Sequence, residues 1–167
     1  MVSMVLGWAI LQPMVACAAT EGKGTAVIVQ SFASKEIRPG DTWKVYLKAS
    51  DPEGQMKYIF ATVSQPGANT YPISIIRIKG ENQKELSGFI YLNTAPAKSS
   101  QFFNLTLTLT VAIQGDGGKF SESAVFPLSF QAKPTLEAPP EGAFKEQDLG
   151  PIMVTLRTVT GKGGGGG

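Results

Sequence analysis

Residues 102–114 read FFNLTLTLTVAIQ, residues 115–118 read GDGG, and residues 119–131 read KFSESAVFPLSFQ. In the first run Phe103, Leu105, Leu107, Leu109, Val111 and Ile113 hold the odd positions, with Thr106, Thr108, Thr110 and Ala112 between them. Alternation of period two over this length fits a half-buried strand and no helix. After the Gly/Asp turn, Ala124, Phe126, Leu128 and Phe130 alternate in the same way. Two such runs around a Gly-Asp-Gly-Gly turn predict an antiparallel hairpin. Each strand then has one apolar face, and a second sheet must cover it.

The chain on the amino-terminal side of the hairpin supplies that sheet. TAVIVQSF at 25–32 is β-branched and apolar, the composition of a strand. Thr42 to Ser50 alternates, with Trp43, Val45, Leu47 and Ala49 on one face and Lys44, Tyr46 and Lys48 on a face predicted to be wet. Gln55 to Ser64 is apolar on both faces and reads as a central strand; Thr70 to Lys79 and Lys84 to Asn93 follow as further strands. Turns fall at Pro39-Gly40-Asp41, Asp51-Pro52-Glu53-Gly54 and Gln65-Pro66-Gly67, where Pro sets φ and Gly permits the reversal. No stretch has helical periodicity. The fold class is therefore all-β, an antiparallel sandwich of about seven strands over residues 25–132.

The middle of the chain also resembles the immunoglobulin-like domains common on bacterial surface and secreted proteins. Arg38-Pro39-Gly40-Asp41 before a strand and Asp51-Pro52-Glu53-Gly54 after it carry the resemblance. So does Gly115-Asp116-Gly117-Gly118 leading into Ser121-Glu122-Ser123, which is similar to a D-x-x-G-N-x-S pattern near the end of many such domains. The bridging cysteines of antibody domains are absent, and Trp43 is not at their tryptophan position. The resemblance implies an immunoglobulin-like topology and a role as spacer, adhesion module or assembly unit. Fold alone does not give function.

Composition narrows the function. The 167 residues include 15 Lys and Arg against 13 Asp and Glu, a net charge of +2 with no basic cluster, which argues against nucleic-acid binding. There is no His, the commonest general base and metal ligand, and a lone Cys excludes an internal disulfide or a cysteine-based zinc site. No nucleophile elbow, phosphate loop or nucleotide fingerprint occurs, so the chain reads as non-enzymatic. Residues 1–20, MVSMVLGWAILQPMVACAAT, have the short apolar core and small-residue end of a secretory signal, without its positive start. Two processing readings stay open. Ala16-Cys17-Ala18 is an A-x-A cleavage site, and Met14-Val15-Ala16-Cys17 resembles a bacterial lipobox that would put a lipid on Cys17. The expected setting is the periplasm, cell surface or exterior, with other envelope or surface proteins as partners and membrane contact only through that lipid.

Two candidate sites remain. The resemblance places the turn after the second strand and the final hairpin turn at one pole, bringing Asp51 and Glu53 toward Asp116. Three carboxylates with nearby carbonyls have calcium chemistry; Asp and Gly are equally explained as turn formers, so no cofactor is the leading expectation. Tyr46, Tyr58 and Tyr71 are the rings available to stack on sugar, which makes a carbohydrate-binding module the alternative function; Trp43 has core parity. Residues 133–167 form a Pro/Gly-rich tail. Within it Ile152, Val154 and Leu156 alternate with Met153, Thr155 and Arg157, and an apolar strand free in water invites pairing. Ile152 to Thr158 is expected to add to a sheet edge of its own domain or of a neighbouring subunit. The run from Gly161 to Gly167 is expected to stay unstructured.

Overall fold

The computed structural model describes residues 26–67, 70–94, 102–135 and 137–157. The signal-like segment with Cys17, and the glycine run from Gly161, lie outside the described residues.

Nine strands form two sheets. They are β1 (Val27–Ala33), β2 (Glu36–Ile37), β3 (Thr42–Ser50), β4 (Met56–Ser64), β5 (Ser74–Arg77), β6 (Glu85–Asn93), β7 (Thr106–Gly115), β8 (Ala124–Phe130) and β9 (Asp148–Pro151). One sheet has the order β1-β3-β6-β9 and the other β2-β8-β7-β4-β5. The first strand splits between the sheets, and β3-β6 faces β8-β7-β4. This is an immunoglobulin-like β-sandwich, with β9 at the edge that a fourth strand occupies in the constant-type fold. All pairings among the long strands are antiparallel. The two short additions, β2 on β8 and β9 on β6, are parallel.

The core is what the alternation predicts. Trp43, Val45, Leu47 and Ala49 of β3 meet Ile59, Ala61 and Val63 of β4, Ile90 and Leu92 of β6, and Leu107, Leu109, Val111 and Ile113 of β7, all buried. Trp43 keeps its one polar atom paired by donating from Nε1 to the Ser34 carbonyl at 2.8 Å, as a buried indole requires.

Four sequence expectations are corrected. First, the alternation does not extend to Phe103. Asn104 has φ 64°, a left-handed turn that breaks the period. Phe102 is buried instead, its ring 6.2 Å from that of Phe130, while Phe103 is 42% exposed. Second, the strand predicted over Thr70 to Lys79 is only four residues long. Pro72 has no N–H to give a ladder, and Tyr71 turns into the interior. Third, the outer face of β3 is not uniformly wet, because Tyr46 is buried there. Fourth, the sandwich does not end at residue 132, since Ile152 and Leu156 belong to its hydrophobic core.

Candidate functional site

The two outer faces of the sandwich differ in what lies on them. Over the sheet containing β3 and β6, the chain returning from β8 forms a strap. Thr135 N–H donates to Glu36 Oε2 at 2.8 Å, on β2 at the edge of the other sheet, and Lys145 N–H to Ser87 Oγ at 3.0 Å on β6, so the strap passes from one sheet onto this face. Phe144 seats its ring 5.5 Å from that of Tyr46, which also meets Phe89 at 5.6 Å and Phe32 at 6.4 Å. Glu146 closes the cluster, accepting from the Tyr46 hydroxyl at 2.7 Å and from Lys44 Nζ at 2.9 Å. Lys44 lies 4.1 Å above the Phe89 ring centre. Burial and then the hydrogen bond to Glu146 raise the Tyr46 hydroxyl pKa. The Tyr46 and Lys44 hydrogen bonds hold the Glu146 carboxyl below the ordinary glutamate range. Lys44 moves up for the reciprocal reason, its hydrogen bond to Glu146.

The strap then enters the groove between β6 and β5. Phe89 N–H donates to the Gln147 carbonyl at 2.8 Å and Ile152 N–H to the Tyr91 carbonyl at 2.7 Å, with β9 between them. Close approach is possible because residue 88 is glycine. A Cβ there would stand 2.5 Å from the Gln147 carbonyl oxygen and 2.9 Å from Leu149 Cγ, so Leu149 fills the place of a side chain at 88. Beyond β9 the backbone crosses to the other sheet. Met153 N–H donates to Ser74 Oγ at 2.9 Å and Arg157 N–H to Tyr71 Oη at 2.9 Å. Gln65 Nε2 donates to the Arg157 carbonyl at 2.8 Å, and Tyr71 Oη–H donates to Gln65 Oε1 at 2.5 Å. Ser74, Tyr71 and Gln65 are buried and hold main-chain atoms of the strap, while Ile152 and Leu156 point into the core. The ladder thus runs over Asp148–Pro151, N-terminal to the stretch that the sequence pattern singles out, and Ile152, Val154 and Leu156 contribute side chains to the packing.

The outer face of the five-stranded sheet has no such cover among the described residues. Phe60 is its centre. It pairs with Ile75 on β5 and Ala112 on β7, and Phe120 lies over it edge-on at 5.0 Å and 75°. Ile75 is 58%, Phe120 48% and Val125 60% exposed. Thr62, Thr108 and Thr110 complete the surface, with Val125 opposite Thr110 and Pro127 opposite Thr108. Tyr58 stands beside Phe60 at 6.5 Å and 84°. A surface cavity lined by Lys57, Tyr58, Arg77, Ile78 and Gln83 holds ≈ 140 Å³, below the ~300–1,000 Å³ of ligand pockets.

The carboxylates at the pole are placed as follows. The Asp51 and Asp116 turns do meet, through Asp116 N–H donating to the Gln55 carbonyl at 2.9 Å. Asp51 is 1% exposed and spends both oxygens on its own turn, accepting from Glu53 N–H at 3.0 Å and Gln55 N–H at 3.1 Å. Asp116 pairs with Lys57 at 2.7 Å, which with the Gly117 N–H lowers its pKa. Glu53 is exposed. Among the described residues no group of three or more His, Cys, Asp or Glu side chains is arranged to hold a metal ion. Of the tyrosines weighed for sugar, Tyr46 and Tyr71 are buried and only Tyr58 reaches an outer face. Phe60 and Phe120 are the surface rings that sequence reasoning passed over; the outward parity of Phe60 on β4 was the signal for one of them.

No family model matches the chain, and no curated protein is similar to it. Among solved structures it is similar to the CARDB domain of a Pyrococcus furiosus protein, a structure in complex with di-metal ions. The likeness spans 68% of this chain and 100% of that one, at 8% identity and a TM-score of 0.36. The class defined here is that of an immunoglobulin-like β-sandwich module, read from its own two sheets. No helix among the described residues is long and apolar enough to cross a membrane.

Proposed function

We propose that this chain is a non-enzymatic, exported module of the bacterial cell envelope that binds another protein through the outer face of its five-stranded sheet. The observation that carries this reading is the apolar surface of Ile75, Phe60 and Phe120, with Val125 beyond β7 on the same face, set among Thr62, Thr108 and Thr110 and edged by Arg77. Exposed apolar patches of this kind mark interaction sites. A partner of matching chemistry presents an apolar patch ringed by hydroxyl and amide groups. The absence of His and the smallness of the surface cavity support a binding role over a catalytic one. Residues 1–20 support export; finding Met1 retained on a cytosolic protein would remove that part of the reading, and a lipid on Cys17 would choose between its two forms.

The alternative, a carbohydrate-binding module, draws on Tyr58, Phe60 and Phe120. Their arrangement disfavours it. Successive rings meet at 84° and 75°, so they offer no common plane on which a pyranose chain could stack. A photo-crosslinking side chain placed at Val125 in the source cells tests the proposal. One adduct of discrete mass is expected, absent when the probe replaces Lys48 on the other sheet and lost on Ile75→Asp. Adducts of equal yield from Val125 and Lys48 overturn it. Glycan-array binding that is lost on Phe60→Ala would favour the alternative.

A further inference from the structure

We infer that the groove between β5 and β6 is an exchangeable strand-binding site, and that its second occupant is the same segment, residues 147–157, of another copy of this chain. The inference uses the side of the sandwich that the proposed protein-binding face does not.

The groove is built to receive an extended peptide. On the β6 side, Gly88 leaves out a side chain so that a foreign backbone can come within ladder distance, and a Cβ there would collide with a backbone oxygen. On the β5 side, Ser74, Tyr71 and Gln65 are buried and aim their polar atoms at the main chain of residues 153–157. Two side chains, Ile152 and Leu156, plug the core between them. Main-chain capture plus alternate apolar plugs is the chemistry of strand addition.

What fills the groove is a separable piece of chain. Between β8 and the ring cluster at Phe144, the described residues of 131–143 give few main-chain bonds to the body, and Pro134, Pro139 and Pro140 stiffen the path; Phe144 and Glu146 travel with the segment that follows. Extended at ~3.3 Å per residue, this connector would reach over roughly 40 Å, enough to reach a neighbouring domain. Every contact of residues 144–157, including those of Phe144, Lys145 and Glu146 with β3 and β6, is the same whether the segment comes from its own body or from a copy. Only the connector and the concentration decide between the closed and exchanged forms. Empty, the groove would expose the β6 edge and the core beneath Ile152 and Leu156, so a copy that has given up its segment must take one back.

Disulfide trapping tests this on the full chain, with Cys17→Ser as background. Tyr91 and Pro151 are partners across the β6–β9 ladder. One preparation carries Tyr91→Cys and a second Pro151→Cys. The double variant reports that the pair can bond within a chain. After the two single variants are mixed at high concentration, a disulfide-linked heterodimer is expected, at least several-fold above the yield when Lys48→Cys replaces Pro151→Cys. The inference is overturned if the double variant closes within the chain while the mixture gives no heterodimer, or gives no more than the Lys48→Cys control.

Discussion

Gly88→Ala tests whether the strap is seated as described. An unobstructed Gly-to-Ala change inside a strand stabilises by roughly 0.5–1 kcal/mol, because glycine loses more backbone freedom on folding. At position 88 the new Cβ would stand 2.5 Å from the Gln147 carbonyl oxygen and 2.9 Å from Leu149 Cγ. That oxygen cannot retreat without losing its hydrogen bond from Phe89 N–H, and the Ile152–Tyr91 bond just beyond anchors the same segment. Two responses are open. Local strain from overpacking costs about 1–3 kcal/mol. Release of the strap would uncover Ile152 and Leu156, at about 1.5–3 kcal/mol for each side chain. Strain is the smaller cost and sets the outcome. Offset by the gain from removing glycine, it leaves a net loss of up to about 2.5 kcal/mol. Gly80→Ala is the control, since a Cβ there has no neighbour within 4 Å. Urea denaturation of both variants reads the difference as a shift in midpoint at constant slope. If Gly88→Ala is as stable as Gly80→Ala, or more stable than the parent, residues 147–149 do not lie against β6.

Three further outcomes follow from the same structure. Leu107→Ala should cost about 2–5 kcal/mol by lost burial and a cavity, whereas Thr108→Ala, facing outward, should cost little; equal midpoints in denaturant would mean the facing of β7 is wrong. Glu146 has a folded-state pKa below its unfolded value, so its stabilising contribution is retained above about 4.3 and lost as pH falls through the lower folded value. Glu146→Gln should flatten the acid limb of the melting-temperature profile, and an unchanged limb would show that the Lys44–Tyr46–Glu146 cluster does not form. Calcium and chelator should leave the melting temperature unchanged, because the Asp51 oxygens already accept two backbone N–H groups and Asp116 is paired with Lys57; a calcium-dependent rise would mean these turns open to bind the ion.

The sandwich was legible because its longest strands have one buried face. A period of two in Leu107, Leu109, Val111 and Ile113 can be satisfied only by a covered sheet, and the turns at Gly40, Gly54 and Gly117 cut the chain into strands. The alternation misled at Phe103, where Asn104 reverses the backbone. The fate of the tail was half legible. Apolar residues at 152, 154 and 156 announced a need for cover, but the ladder itself runs through Asp148-Leu149-Gly150-Pro151, which has no strand pattern. Its register comes from Gly88, which locally reads only as a weak point in a strand. Tyr46 looked wet because its parity is outward, and the residues that cover it, Phe144 and Glu146, lie about a hundred positions away in sequence. The polar clamp of Ser74, Tyr71 and Gln65 was invisible for a similar reason: its ligands are backbone atoms, which carry no sequence signal. The apolar surface on the five-stranded sheet draws on β5, β4, the turn before β8 and β8 itself, and only the register brings its members together.

The central claim is that the strap belongs to the sandwich, closing one side and covering one outer face, which leaves the five-stranded sheet as the face proposed to bind. Amide hydrogen exchange on the dilute full chain tests it most directly. The Phe89, Ile152, Met153 and Arg157 amides, which donate to the Gln147 carbonyl, the Tyr91 carbonyl, Ser74 Oγ and Tyr71 Oη respectively, should be protected together, and their protection should fall together without being lost in Gly88→Ala. Exchange at Ile152, Met153 and Arg157 at the rate of an unstructured peptide, with the β7 amides still protected, would contradict the account.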